Sequence, residues 1–187
     1  MKTSSSIALL LSASGLVHGQ QETVEHKLTN IIFNRSLTEM TPNVARFHTA
    51  RIHFKFQDSF PATNKSHSAP INTYCEATQS ESSISATFFT REIPYKCKLP
   101  GPNTQELSFT FVSSGAFTFN ETLHDVKTGA PTDSYLSAGS GSLKCKTHVS
   151  INPDYKGVGG PDYRTTTTDC DMADLTLVAK KASVGSH

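Results

Sequence analysis

The chain has 187 residues, of which 36% are hydrophobic and 18% are charged, and it carries a formal charge of only +1. With basic and acidic residues in balance, no field of a single sign favours nucleic acid or an anionic membrane surface as a partner. The length suits one domain with a substantial hydrophobic core.

The N-terminus has the pattern of a secretory signal peptide. Lys2 is followed by an apolar stretch over residues 7–17, and Val17-His18-Gly19 offers the small or short residues of a cleavage site. The stretch is broken by Ser12 and Ser14 and is shorter than the roughly 20 apolar residues that span a bilayer. We therefore expect residues 1–19 to be removed and an exported, non-membrane domain to follow over residues 20–180, with a polar tail at 181–187.

The first half of the mature chain predicts strands separated by polar loops. The clearest signal is strict alternation of apolar and polar residues over 50–57, which is typical of a half-buried strand. Residues 36–44 are interpreted as a loop. Further strands are predicted at 28–33, 72–79, 84–90 and 95–99.

The second half continues the β pattern. Leu107, Phe109 and Phe111 alternate with polar residues, and Phe117 and Phe119 do so again after the turn Ser113-Ser114-Gly115, which predicts a hairpin with its phenylalanine rings on one face. More strands are predicted at 134–138, 143–151, 164–168 and 175–179. No mature segment has a sustained helical period. We predict an all-β fold, an antiparallel barrel or sandwich of about eight to eleven strands, whose eleven phenylalanines dominate the core.

All four cysteines lie in the mature chain, at Cys75, Cys97, Cys145 and Cys170. An even number in an exported protein predicts two intrachain disulfides, which can be connected in three ways. Two of the cysteines are flanked by lysines on both sides. This flanking could mark activated thiolates, but strand alternation that points cysteine inward and lysine outward is the simpler interpretation.

Three Asn-x-Ser/Thr sequons, at Asn34, Asn64 and Asn120, are candidate N-glycosylation sites, which places them at the surface if they are used.

No catalytic residue, metal ligand or cofactor site can be assigned from the sequence. His53 and His148 are predicted on outward strand faces without a motif that joins them, and His48 has inward parity. Five acidic residues near the C-terminus match no calcium loop. They are Asp154, Asp162, Asp169, Asp171 and Asp174. A hydrolase or ribonuclease with an unrecognised site remains an alternative hypothesis.

The order of these motifs resembles the fungal family of Alternaria major-allergen-like secreted proteins over nearly the whole mature chain. Early in the chain, the resemblance lies in Ile31-Ile32-Phe33-Asn34-Arg35, residues 51–57, Tyr74-Cys75-Glu76-Ala77, Tyr95-Lys96-Cys97 and residues 107–111. Later, it lies in Cys145, Pro161-Asp162-Tyr163, Cys170 and residues 173–178.

The resemblance implies a disulfide-bonded β-barrel with sequential pairing, Cys75–Cys97 and Cys145–Cys170. It implies a non-enzymatic secreted protein that acts outside the cell as an effector or elicitor. Its partner would be a host protein of the plant apoplast, such as a defence protein. The alternative is a barrel that carries a small apolar ligand such as a flavonoid. The chain has no additional N-terminal cysteine, which argues against a disulfide-linked dimer and leaves a non-covalent one open.

Overall fold

The computed structural model describes residues 24–41, 46–60, 70–82, 87–100, 104–125, 127–151 and 162–182. Their regular structure is entirely β, which confirms the predicted class. The strands are β1 Val24–Thr41, β2 Arg46–Ser59, β3 Asn72–Glu81, β4 Tyr95–Lys96, β5 Gln105–Val112, β6 Ala116–His124, β7 Pro131–Ser140, β8 Leu143–Ile151, β9 Asp162–Met172 and β10 Leu175–Ala182. In these residues there is no helix with the length and apolar character needed to cross a membrane.

The strands form one antiparallel sheet that curls into a nearly closed barrel in the order β3-β2-β1-β10-β7-β6-β5-β4. The long β1 organises this sheet. Its first half pairs with β10, its second half pairs with β9, and β2 runs along its other side. Strand β8 pairs with β9, so that β8 and β9 extend the sheet sideways from the barrel.

The seam between β3 and β4 is joined by side chains. The Cys75–Cys97 disulfide crosses it, the Thr73 hydroxyl donates to the Lys98 carbonyl at 2.9 Å, and the Gln79 amide donates to the Tyr95 hydroxyl at 2.5 Å. These links close the barrel where the backbone ladder stops.

The barrel interior is filled with phenylalanine, as the sequence predicts. The Phe54 ring contacts those of Phe109, Phe117 and Phe119 edge-on, with centroids 4.9–5.7 Å apart, a favoured geometry for aromatic pairs. A loop between β3 and β4 adds Phe89, whose ring packs on Phe111 at 5.4 Å. The buried phenylalanines are Phe33, Phe54, Phe56, Phe88, Phe89, Phe109, Phe111, Phe117 and Phe119.

Four of the predicted boundaries are wrong. Strand β1 continues to Thr41 through part of the predicted loop 36–44, because it pairs with a strand on each side there. Residues 87–90, from the predicted strand 84–90, form a turn, and the strand predicted at 95–99 is reduced to Tyr95–Lys96. Strand β10 extends to Ala182, into the predicted tail. The predicted signal peptide and residues 183–187 lie outside the described residues.

Candidate functional site

The two disulfides have the sequential pairing, and they differ in their surroundings. Cys75 and Cys97 are both buried. Cys145 and Cys170 are directly opposite in the β8–β9 ladder, where Cys170 is buried and Cys145 is exposed. The lysines that flank Cys97 and Cys145 are exposed. All four cysteines are therefore structural, and none is a free thiol.

The histidines considered for catalysis are not brought together. His53 on β2 is half-buried, His148 on β8 is exposed, and strands β1 and β9 lie between them. His48 is buried on the inner side, as its parity predicts, against the ring of Phe88 at a centroid distance of 6.3 Å. This arrangement gives the two exposed histidines no shared site.

The sequons at Asn34 and Asn120 lie in different environments, and Asn64 lies outside the described residues. Asn34 is in the middle of the sheet, where its amide donates to the Asp169 carboxylate at 2.5 Å. Asn120 is exposed on β6, and its side-chain oxygen accepts a hydrogen bond from the Ser134 hydroxyl at 2.8 Å.

The most unusual chemistry is a cluster of polar side chains inside the barrel that the sequence analysis did not single out. It consists of His26 on β1, Asp58 on β2, Glu121 on β6 and Ser137 on β7, and all four are buried. His26 and Glu121 have no exposed surface. A parity signal existed for them, because Asp58 extends the inward series of β2 and Glu121 follows the inward Phe117 and Phe119.

These four side chains form a hydrogen-bonded chain. The His26 imidazole contacts the Ser137 hydroxyl through Nδ1 at 2.8 Å and the Glu121 carboxyl through Nε2 at 3.1 Å. Glu121 is hydrogen-bonded in turn to Asp58, and the Asp58 Oδ1 atom accepts the backbone N–H of Ile71 at 2.6 Å. The chain therefore joins four strands across the interior.

Burial determines which of these hydrogen-bonded side chains carry a proton. Loss of water raises the pKa of Glu121 to about 7, and burial together with the neighbouring Glu121 carboxyl raises the pKa of Asp58 to about 7. Burial also lowers the pKa of His26 to about 4. The His26–Glu121 contact is accordingly a hydrogen bond between neutral groups in mildly acidic solution, although the same atoms would form an ion pair if both were charged.

One assignment of protons, made from the hydrogen-bond network, satisfies the whole chain. A proton on Asp58 lets that carboxyl donate to the Glu121 carboxylic acid, and Asp58 Oδ2 and Glu121 Oε1 are the two carboxyl oxygens of the cluster that have no other partner. Glu121 Oε2 then donates to His26 Nε2, and His26 Nδ1 donates to Ser137. Each buried polar group is paired without a buried charge, which is the least costly arrangement in an apolar interior.

The order Ser137–His26–Glu121 has the residue types of a hydrolase triad, but it lacks the properties of one. A nucleophile must be reachable by substrate, and an imidazole that acts as a base must be able to hold a proton near neutral pH. Ser137 points inward to a histidine that has no exposed surface and whose pKa is about 4. This hydrogen-bonded cluster is a structural element of the core.

The described surface carries a groove of about 600 Å³ on the outer side of the wall built by β5, β6, β7 and β10. Its apolar surface includes Leu136, which is 48% exposed, and Val178, which is 54% exposed. Pro94, just before β4, and Ala138 extend this surface.

Polar groups surround that apolar surface. The hydroxyls of Thr110 and Thr118 are hydrogen-bonded to each other at 2.6 Å across the β5–β6 pair, and Ser108 lies two residues before Thr110, on the same face of β5. Lys180 supplies a cationic group, and the sequon residue Asn120 lies at the same wall. The groove suits an apolar group that lies beside an anionic or hydrogen-bonding one.

No protein-family model matches this chain, and no curated protein is significantly similar to it. Within the described segments, no group of three or more histidine, cysteine or acidic side chains is arranged to hold a metal ion.

Proposed function

We propose that this is an exported, non-enzymatic binding protein that acts outside the cell, as an effector or elicitor, through its outer surface. Its groove on the β5-β6-β7-β10 wall is the binding site. The observation that carries the proposal is the contrast between the two sides of this wall. The inner side holds phenylalanine rings in mutual contact, whereas the outer side leaves Leu136 and Val178 exposed in a concave surface.

Two disulfides support the extracellular location, because such bonds persist mainly in oxidising compartments. A rigid barrel with a partly exposed apolar surface also suits a protein partner, since interface cores are apolar and their rims are polar. The proposed partner is a host protein of the plant apoplast that inserts an apolar side chain beside a carboxylate, which would face Lys180.

The test is binding of apoplastic proteins to the immobilised mature chain, followed by titration of any identified partner. We expect Leu136→Lys with Val178→Lys to abolish binding, because two ammonium groups would have to be desolvated in the groove. Tyr74→Lys is the matched control, since Tyr74 is an exposed large hydrophobic residue on β3, outside the groove. Equal binding by the groove variant and the native chain would contradict the proposal.

A small apolar ligand is the second candidate, and the groove volume favours it. About 600 Å³ lies within the range of small-molecule sites, which is roughly 300–1,000 Å³. Titration with a flavonoid, followed by fluorescence, separates the two candidates. Saturable flavonoid binding that the groove variant loses, with no protein partner captured, would favour the ligand carrier.

A further inference from the structure

The outer edge of β8 is a second surface with binding capacity, distinct from the groove. Within the described part of the chain, β8 pairs with β9 alone, so its other edge presents unpaired backbone N–H and C=O groups. From Lys144 to Ile151 every residue of the strand is exposed. The disulfide from Cys145 to Cys170 holds the strand against β9, so this edge is ordered before any partner arrives.

The two faces of β8 differ in chemistry. Leu143, Cys145, Thr147, Val149 and Ile151 lie on the side that faces the core in β9 and β1, because Cys145 is opposite the buried Cys170. Here the sheet has passed the end of the core, and Val149 is 50% exposed and Ile151 63% exposed. The other side carries Lys144, Lys146 and His148. A strand with an unpaired edge and apolar residues exposed on one face is a template for further strand pairing.

The sequence of β8 is complementary to itself in an antiparallel arrangement. If two copies pair about a two-fold axis at Thr147, every residue of Leu143–Ile151 finds a partner. Ile151 of each copy then lies opposite Leu143 of the other, and Val149 lies opposite Cys145. Apolar residues therefore meet apolar residues on both sides of the axis, where the two Thr147 residues lie opposite each other, and such cross-strand pairs are stabilising.

Charge disfavours the neighbouring register that is centred on Lys146. On the polar face, the register centred on Thr147 places Lys144 opposite Ser150 and Lys146 opposite His148, so no lysine faces another lysine. An axis at Lys146 would bring the two copies of that residue together, and like charges directly opposite are destabilising. Each lysine also has an acidic neighbour on β9, since Lys144 is in register with Asp171 and Lys146 with Asp169.

We propose that two copies of this chain associate through β8, by antiparallel pairing centred on Thr147, to form one sheet continuous across both barrels. The interface belongs to the class of closed two-fold contacts, in which the same surface is used on both subunits. The groove is lined by β5, β6, β7 and β10 and by no residue of β8. The proposed dimer therefore does not depend on the function proposed for the groove.

The test is sedimentation equilibrium of the mature, disulfide-intact chain over a wide concentration range. We expect a monomer–dimer equilibrium whose dissociation constant rises roughly tenfold or more in the Val149→Lys, Ile151→Lys double variant. Both side chains are exposed, and an unchanged urea midpoint verifies that the variant is folded. Val178→Lys, in the groove, is the matched control and should leave the equilibrium unchanged.

Hydrogen exchange locates the contact. Amides of β8 should gain protection as the concentration rises, while those of β5 and β6 should not. A monomer at millimolar concentration would overturn the proposal. So would a dimer that the Val178→Lys variant disrupts and the β8 variant leaves intact.

Discussion

The carboxyl group of Asp58 is hydrogen-bonded to that of Glu121 inside the barrel, where both are withdrawn from water. Burial penalises the charged form of each carboxyl group, and a charge on Glu121 would also repel one on Asp58, so both groups stay protonated to a higher pH than in water. The pair therefore binds its protons more tightly in the folded protein than in the unfolded chain. This difference makes stability depend on pH.

We predict that the protein is more stable at pH 5 than at pH 8. The unfolded carboxyls release their protons at their ordinary pKa values of 3.8 and 4.5, whereas the folded ones hold them to about 7. Their stabilising contribution is present at low pH and is lost as the pH rises to about 7. Urea midpoints measured at the two pH values, at constant m, check this order, and a higher midpoint at pH 8 would contradict it.

His26 opposes this trend but does not reverse it. Its pKa falls from 6.5 to about 4 on folding, so its contribution is present above pH 6.5 and lost as the pH drops towards 4. Between these limits the folded protein retains two carboxyl protons that the unfolded chain has released. It lacks the one imidazole proton that the unfolded chain holds, so the folded protein binds one proton more. One proton corresponds to a loss of about 1.4 kcal/mol of stability per unit rise in pH.

Glu121→Gln should flatten this pH dependence. The amide can accept from Asp58 and donate to His26, so both hydrogen bonds are kept without an ionisable group at this position. We expect little change in the free energy of unfolding at pH 5 and a gain of about 1 kcal/mol or more at pH 8. Glu121→Ala is the control for the hydrogen bonds, since it leaves His26 and Asp58 unpaired and should destabilise at both pH values. An unaltered pH profile in Glu121→Gln would exclude the buried Glu121 carboxyl as its cause.

The strands that alternate clearly could be predicted from the sequence because each buries one face. The series from Ala50 to Phe56 and the hairpin phenylalanines from Phe109 to Phe119 are examples. The end of β1 could not be predicted in this way. Residues 36–41 carry no apolar alternation, and their strand conformation depends on pairing with β2 on one side and, on the other, with β9, which is distant in sequence.

The buried cluster was missed for a different reason. Charged residues are rarely found in a core, so Asp58 and Glu121 were not placed there although their parity pointed inward. Only the fold shows that His26, Asp58 and Glu121 come from three strands and satisfy one another. The groove likewise depends on which strands lie side by side, and that order follows from long-range pairing.

The two disulfides should contribute unequally to stability. They close chain segments of 22 and 25 positions, so their effects on the unfolded state are similar, about 3 kcal/mol each. Cys75–Cys97 also crosses the seam of the barrel, whereas Cys145–Cys170 joins strands already paired along their length. We expect the Cys75→Ala, Cys97→Ala variant to lose at least about 1 kcal/mol more than the Cys145→Ala, Cys170→Ala variant in urea unfolding. Equal losses would show that the seam is held by other contacts.

Gly115, in the hairpin turn between β5 and β6, should not tolerate substitution. Its φ is +94°, and a Cβ atom added to it would approach the carbonyl oxygen of Gly141 to 2.1 Å. That oxygen is backbone, and the Gly115 carbonyl accepts the Gly141 N–H at 3.0 Å, so neither segment can move without breaking the contact. We expect Gly115→Ala to cost about 3 kcal/mol or more.

Gly129 supplies the matched control for this substitution. It also has a positive φ, of +68°, but nothing lies within 4 Å of an added Cβ atom. Gly129→Ala should therefore cost only the backbone strain of a left-handed conformation, about 1 kcal/mol. Thermal unfolding of the two variants separates the steric clash from the strain. If both lose the same stability, the contact with Gly141 contributes nothing, and the close approach of the two turns does not constrain the barrel.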